Sequence, residues 1–132
     1  MLDFINKSDW ITTYKEDFLP RLNHLEQILE TNKNDEELEY QFVITFEAAF
    51  NVMKKYFSKK GEMLYKKKEI LDLAIKENII QNEKAWNDAI KLTERIGRAV
   101  RPKEENIELI EEFCKIFTDL SSVFNNMLKN SN

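Results

Sequence analysis

Three of the chain's four arginines, Arg95, Arg98 and Arg101, recur at every third residue just after a segment anchored by Trp86. In a helix that spacing spreads them over one broad face. Their planar guanidinium forks could hold a phosphate through charge-assisted bidentate hydrogen bonds, with Lys66, Lys67 and Lys68 from the preceding segment adding positive charge. The alternative is charge balance: the same arginines would offset the negative end of the helix dipole and form i, i+4 pairs such as Glu94 with Arg98. Both readings rest on where that helix sits.

Other reactive residue types are sparse. Glu47 lies among Phe46, Ala48, Ala49 and Phe50, so a small rotation of its helix would tuck the carboxylate toward the core and raise its pKa, as a general acid requires. Placed at the edge of the apolar stripe, it is an ordinary exposed glutamate. Trp10 and Trp86 could stack on bases, although tryptophans at helical spacing usually fill a core. His24 is the sole histidine and Cys114 the sole cysteine. Together they give zinc too few good ligands, His24 has no recognisable catalytic partner, and Cys114 at an apolar position reads as core filling.

The elements that must position these residues are helical. Gly61, Gly97, Pro20 and Pro102 are the only glycines and prolines among 132 residues, which starves hairpins and phosphate-cradling glycine loops of their material. Ser8 and Asp9 resemble an N-cap and acidic first turn. Ile11, Tyr14, Phe18, Leu22, Leu25 and Leu29 then predict an amphipathic helix to about Glu30, bent or interrupted near Phe18 by Pro20. After a turn at residues 31–34, Leu38, Phe42, Phe46, Ala49, Phe50, Met53 and Phe57 form a second stripe that Gly61 ends. A short connector is expected from Lys67 to about Asn78. Asn82 then caps a helix from Glu83 to about Arg101, ended by Pro102, with Trp86, Ala89, Ile90, Thr93 and Ile96 inward. Ile107, Ile110, Phe113, Cys114, Phe117, Leu120, Phe124 and Met127 supply the last stripe. The expectation is an all-α fold, an antiparallel four-helix bundle with one additional short connector helix in a single domain.

Length and charge bound the rest. A chain of this length buries roughly two-thirds of the surface its unfolded form exposes, so one core suffices. The formal net charge of −4 gives no global attraction to nucleic acid or anionic membrane, and an anion site has to be a local patch. The lone cysteine and the lack of a leader-like or membrane-spanning run lead us to expect a cytoplasmic protein.

The run Phe46-Glu47-Ala48-Ala49-Phe50-Asn51-Val52-Met53-Lys54-Lys55-Tyr56-Phe57 resembles the Phe-Glu-x-x-Trp-Lys-x-Leu-Lys helix of the nucleotidyltransferase substrate-binding subunits, members of the HEPN superfamily. Lys68-Glu69-Ile70 through Ala74, then Ile79-Ile80 and Trp86, are similar to that family's connector helix, Gly-Leu-Ile turn and tryptophan-bearing helix. Phe50 stands where the family has tryptophan and Asn78 where it has glycine. The resemblance runs from about Thr13 to Leu128. It implies an antiparallel helical bundle, commonly a homodimer, that pairs with a small nucleotidyltransferase subunit; for this chain we expect a nucleotide or RNA as ligand and no cofactor. Family members with ribonuclease activity carry arginine, a polar residue, three further residues and histidine, with tyrosine two beyond. Counted from Trp86, this chain has Thr93, Glu94, Arg98 and Val100 at the arginine, polar, histidine and tyrosine positions.

Three readings follow. The first is a non-catalytic binding subunit, with Arg95, Arg98, Arg101, Lys67 and Glu47 as substrate-binding residues and no catalytic ones. The second is a ribonuclease working with altered residues such as Glu94 and Arg98. The third is a degenerate module kept for protein interaction.

Overall fold

The computed structural model of the chain describes residues 9–31, 35–98 and 105–130. Among them every regular element is helical, and the all-α expectation is met. The helices are α1 (Trp10–Thr13), a π-helical turn (Tyr14–Phe18), α2 (Leu19–Thr31), α3 (Asp35–Lys59), α4 (Lys67–Lys76), α5 (Glu83–Arg98) and α6 (Glu105–Asn130).

The first three elements follow without a break, and the π-helical turn is the interruption Pro20 demands. Proline offers no N–H and its ring crowds the carbonyl four residues back. The backbone widens just before it, and Leu19 N–H donates to the Tyr14 carbonyl, five residues back rather than four. Asp9 occupies the N-cap position in extended geometry but makes no side-chain cap bond. Its Oδ2 instead takes Lys59 Nζ at 3.4 Å. The Ser8 cap and the 32–34 turn expected from sequence lie outside the described residues.

Two further helix ends explain their residues. At the end of α3, Glu62 N–H donates to the Phe57 carbonyl and Gly61 N–H to the Ser58 carbonyl. This paired closure needs a left-handed residue between them, and Gly61 has φ 94°, a conformation glycine adopts without steric cost. At the end of α4 the same closure recurs, with Ile79 N–H on the Ala74 carbonyl and Asn78 N–H on that of Ile75. Asn78 takes φ 62° there. Asparagine is among the few other residues that accept this region.

Contacts set the helix directions. Against α3, Thr13 meets Lys55, the Arg21 carbonyl meets Thr45 and His24 meets Glu37, so α1–α2 and α3 run antiparallel. Against α6, Trp10 meets Phe124, Tyr14 meets Ser121 and Phe18 meets Phe117, again antiparallel. Between α3 and α6 the numbers rise together: Glu39 with Asn106, Phe42 with Phe113, Tyr56 with Phe124. These two run parallel. The connector α4 packs on α3 and α5.

The core is aromatic. Phe42, Phe46 and Phe117 join Phe18, Phe50 and Trp86 in one buried cluster, and such ring pairs contribute about 0.5–1.5 kcal/mol each beyond the area they bury. All seven residues of the predicted second stripe are buried. Along α2 the inward residue is Ile28, with Leu29 only partly covered.

The buried side chains of Tyr14 and Asn106 are bonded across helices, although Asn106 Oδ1 is itself without a partner among the described residues. The Tyr14 hydroxyl lies 2.8 Å from the Ser121 carbonyl, 3.0 Å from Ser121 Oγ and 2.7 Å from Asn125 Oδ1. Burial pushes its pKa above the usual phenol value, and the Ser121 hydrogen bond pulls the other way. Asn106 Nδ2 donates to Glu39 Oε2 at 2.9 Å.

Candidate functional site

Arg95 and Arg98 belong to α5, and α5 is fixed by its first turn. Asn82 caps it as predicted, its Oδ1 accepting from Ala85 N–H at 3.3 Å. Trp86 is wedged between Phe46, Phe50 and Phe117, with ring centroids 6.2, 5.7 and 5.8 Å away. Trp10 is likewise buried, against Tyr14, Tyr56 and Phe124. Both tryptophans are buried core residues and not exposed stacking platforms.

The buried face of α5 differs from the expected one. Trp86, Ala89 and Leu92 are buried, whereas Ile90, Thr93 and Ile96 are only partly covered. Ile90 and Ile96 still pack against the core from its edge, and Leu92 joins Trp86 and Ala89 at its centre. Arg98 lies nine residues after Ala89, about two and a half turns at roughly 3.6 residues per turn. It therefore stands opposite the buried arc. Arg95 and Arg98 are both exposed. Arg101, Val100 and Pro102 lie outside the described residues.

Among the described residues neither Arg95 nor Arg98 makes an ion pair, and the anticipated Glu94–Arg98 pair is not formed. The Thr93 hydroxyl is turned back on its own helix, donating to the Ile90 carbonyl at 2.7 Å.

Lys67 and Glu47 are brought together, but elsewhere. Lys67 Nζ lies 3.1 Å from Glu47 Oε1 and 6.0 Å from the centre of the Phe50 ring. The pair bridges α4 to α3. Glu47 is half exposed, so it is the edge-of-stripe glutamate and not a core carboxylate. Lys68 faces Asp72 at 3.3 Å and Glu83, the first residue of α5, at 4.0 Å. Arg95 is twelve residues further on, about 18 Å along the axis at the usual rise. The connector lysines and the arginines therefore mark opposite ends of α5 and do not form one cluster.

The remaining reactive groups are accounted for by packing or exposure. Cys114 is buried, and burial, with the charges of Glu26 and Glu111, pushes its thiol pKa up to about 12. A thiol so protonated is a poor nucleophile. His24 is exposed, with Nε2 3.9 Å from Glu37 Oε1. Among the described residues no three His, Cys, Asp or Glu side chains are grouped to hold a metal ion, and no helix is long and apolar enough to cross a membrane.

Sequence reasoning missed two surface features. One is a groove of about 580 Å³ where the α4–α5 turn meets α6, floored by Ile79, Ile80, Trp86, Ile116 and Leu120. It could not be found from either stripe alone, because its walls come from separate segments of the chain. The other is Tyr65, 74 % exposed in the loop between α3 and α4. Its signal was present as an aromatic residue among lysines outside any stripe.

No protein-family model, curated protein or solved structure significantly matches the chain.

Proposed function

We propose that this chain is a non-catalytic binding subunit that pairs with a small nucleotidyltransferase and offers Arg95, Arg98 and Arg101 to the phosphate of a nucleotide or nucleic acid. The observation that carries the reading is the uncommitted state of Arg95 and Arg98. Both stand on the solvent side of α5 without an acidic partner among the described residues, whereas most lysines near α4 are already paired. A guanidinium that has no internal partner keeps its donor fork for an external anion.

The partner class and the homodimer come from the family resemblance. The absence of catalysis comes from the replaced motif, in which Thr93 stands for the arginine and Arg98 for the histidine. A ribonuclease needs a group that can move a proton at the attacking oxygen, and arginine stays protonated at any working pH.

The test is a combined Arg95→Ala, Arg98→Ala, Arg101→Ala variant, checked for folding by circular dichroism and titrated with labelled ATP and labelled RNA. Each charge-assisted hydrogen bond contributes about 1.5–3 kcal/mol, so affinity should fall at least about tenfold. Unchanged affinity removes the arginines from the site. RNA cleavage by the purified protein, abolished by Arg98→Ala, overturns the non-catalytic assignment in favour of the altered ribonuclease. Failure to co-purify with a co-expressed nucleotidyltransferase leaves the interaction-module reading in its place.

A further inference from the structure

Residues 54–68 carry seven lysines against the single acid Glu62, in a chain whose formal net charge is −4. The structure folds this stretch back on itself. Lys54 and Lys55 lie on the last turns of α3, Lys66 is the N-cap of α4, and the loop between them exposes Met63 and Tyr65 at 62 % and 74 %. Most of the lysines are committed: Lys59 to Asp9, Lys60 to Glu77, Lys67 to Glu47, Lys68 to Asp72 and Glu83, and Lys55 to the Thr13 hydroxyl. Lys54 and Lys66 make no ion pair among the described residues. Lys54 Nζ lies over the Tyr65 ring, 5.6 Å from its centre.

The exposure of Tyr65 is held in place. Its backbone N–H and that of Lys66 both donate to Glu69 Oε1, at 3.2 and 3.1 Å. These bonds, Lys66 first, hold the Glu69 carboxyl below its usual pKa, so the tie is present at neutral pH. The other end of the loop is closed by the bonds at Gly61. An aromatic ring fixed in water on a bonded loop forgoes the burial its surface would favour.

We propose that this loop is a docking surface for single-stranded nucleic acid, in which Tyr65 stacks on a base while Lys54 and Lys66 take the flanking phosphates. A lysine over one face of the ring leaves the other for a base, and rings interleaved with cations are how strands are bound without sequence preference. The surface fits an anionic strand better than an anionic membrane. The apolar exposure is two side chains, one of them drawn back by a 3.4 Å Ser58 Oγ to Met63 Sδ contact, and interfacial anchoring needs a broad apolar face. The inference is independent of Arg95 and Arg98, which sit at the far end of α5.

The test is fluorescence anisotropy of the full chain with a labelled oligouridine of about ten nucleotides, a length within the usual site size of such surfaces, at low and moderate salt. Tyr65→Ala should weaken binding about tenfold, while Tyr65→Phe keeps it, because stacking needs the ring and not the hydroxyl. Lys54→Ala with Lys66→Ala should weaken binding and flatten its salt dependence by about 0.7 in log–log slope per lysine. Equal affinity of Tyr65→Ala and the unaltered chain, or no oligouridine binding by the unaltered chain at low salt, overturns the proposal. Tyr65-dependent sedimentation with phosphatidylserine vesicles in the absence of oligouridine binding overturns it in favour of a membrane. Arg95→Ala with Arg98→Ala separates the two sites: oligouridine binding lost there and kept in Tyr65→Ala assigns the strand to α5, and the reverse assigns it to this loop without touching the nucleotide reading.

Discussion

The chain has two cationic regions, the end of α5 and the loop from α3 to α4, and they are equipped differently. The α5 end carries guanidinium forks with no aromatic neighbour exposed beside them and no acid holding them among the described residues. The loop carries an exposed ring, a closed backbone and lysines mostly held by acids. Counting charges would rank the loop first. Counting uncommitted donors reverses the order for a compact phosphate, while only the loop has a surface on which a base can lie. Forks suit a phosphate, and a ring between ammonium groups suits a strand.

The largest expected effect tests what carries the arginine end. Trp86 is the wedge that seats α5 on α3 and α6, so Trp86→Ala should cost about 3–5 kcal/mol in urea unfolding. A loss below about 1 kcal/mol, the range of an exposed position, would show that α5 is held by something else and break the account of where its arginines stand. The chain's two glycines then sharpen the contrast, because one sits in each region and they should respond with opposite sign. Gly61 is left-handed with open space where a Cβ would go, so Gly61→Ala carries the backbone cost alone, about 1–2 kcal/mol of destabilisation. Gly97 lies inside α5, also with open space around a Cβ. Gly97→Ala should stabilise by about 0.5–1 kcal/mol. Thermal melts of the two variants check both signs, and a shift in the same direction for both would erase the distinction drawn between these helix ends.

Much of the fold is legible in the residues alone, and the reason is local. The stripes of α3 and α6, the Asn82 cap and the Gly61 stop are set by residues within a turn or two of one another, and Pro20 announces an interruption at Phe18. Rotation and company are not local. Reading Trp86, Ala89, Ile90, Thr93 and Ile96 as inward finds the right side of α5 but misses Leu92, and the fully buried arc is centred nearer Ala89 than that reading places it, because a helix takes its exact phase from what it packs against. Lys67 and Glu47 each stand out by type and position, yet their pairing spans two helices and a loop. The separation of the connector lysines from the arginines becomes visible only with Lys68 seated beside Glu83. Periodicity gives Tyr65 no role because it belongs to no stripe, which is what marks it in the folded chain.

The Tyr14 hydroxyl meets its partners at Ser121 and Asn125, 107 and 111 positions later. A polar group in the first described helical segment is therefore satisfied only by the last. On a chain growing from its N-terminus, α1, the π-helical turn and α2 emerge long before α6, and Trp10, Tyr14 and Phe18 have only α3 to lie against until Phe117, Ser121 and Phe124 arrive. That contact closes a loop of more than a hundred residues, and such closure lowers the entropy of the chain before the contact returns anything. Until residue 121 has emerged, the Tyr14 hydroxyl has neither of these partners and is left to water.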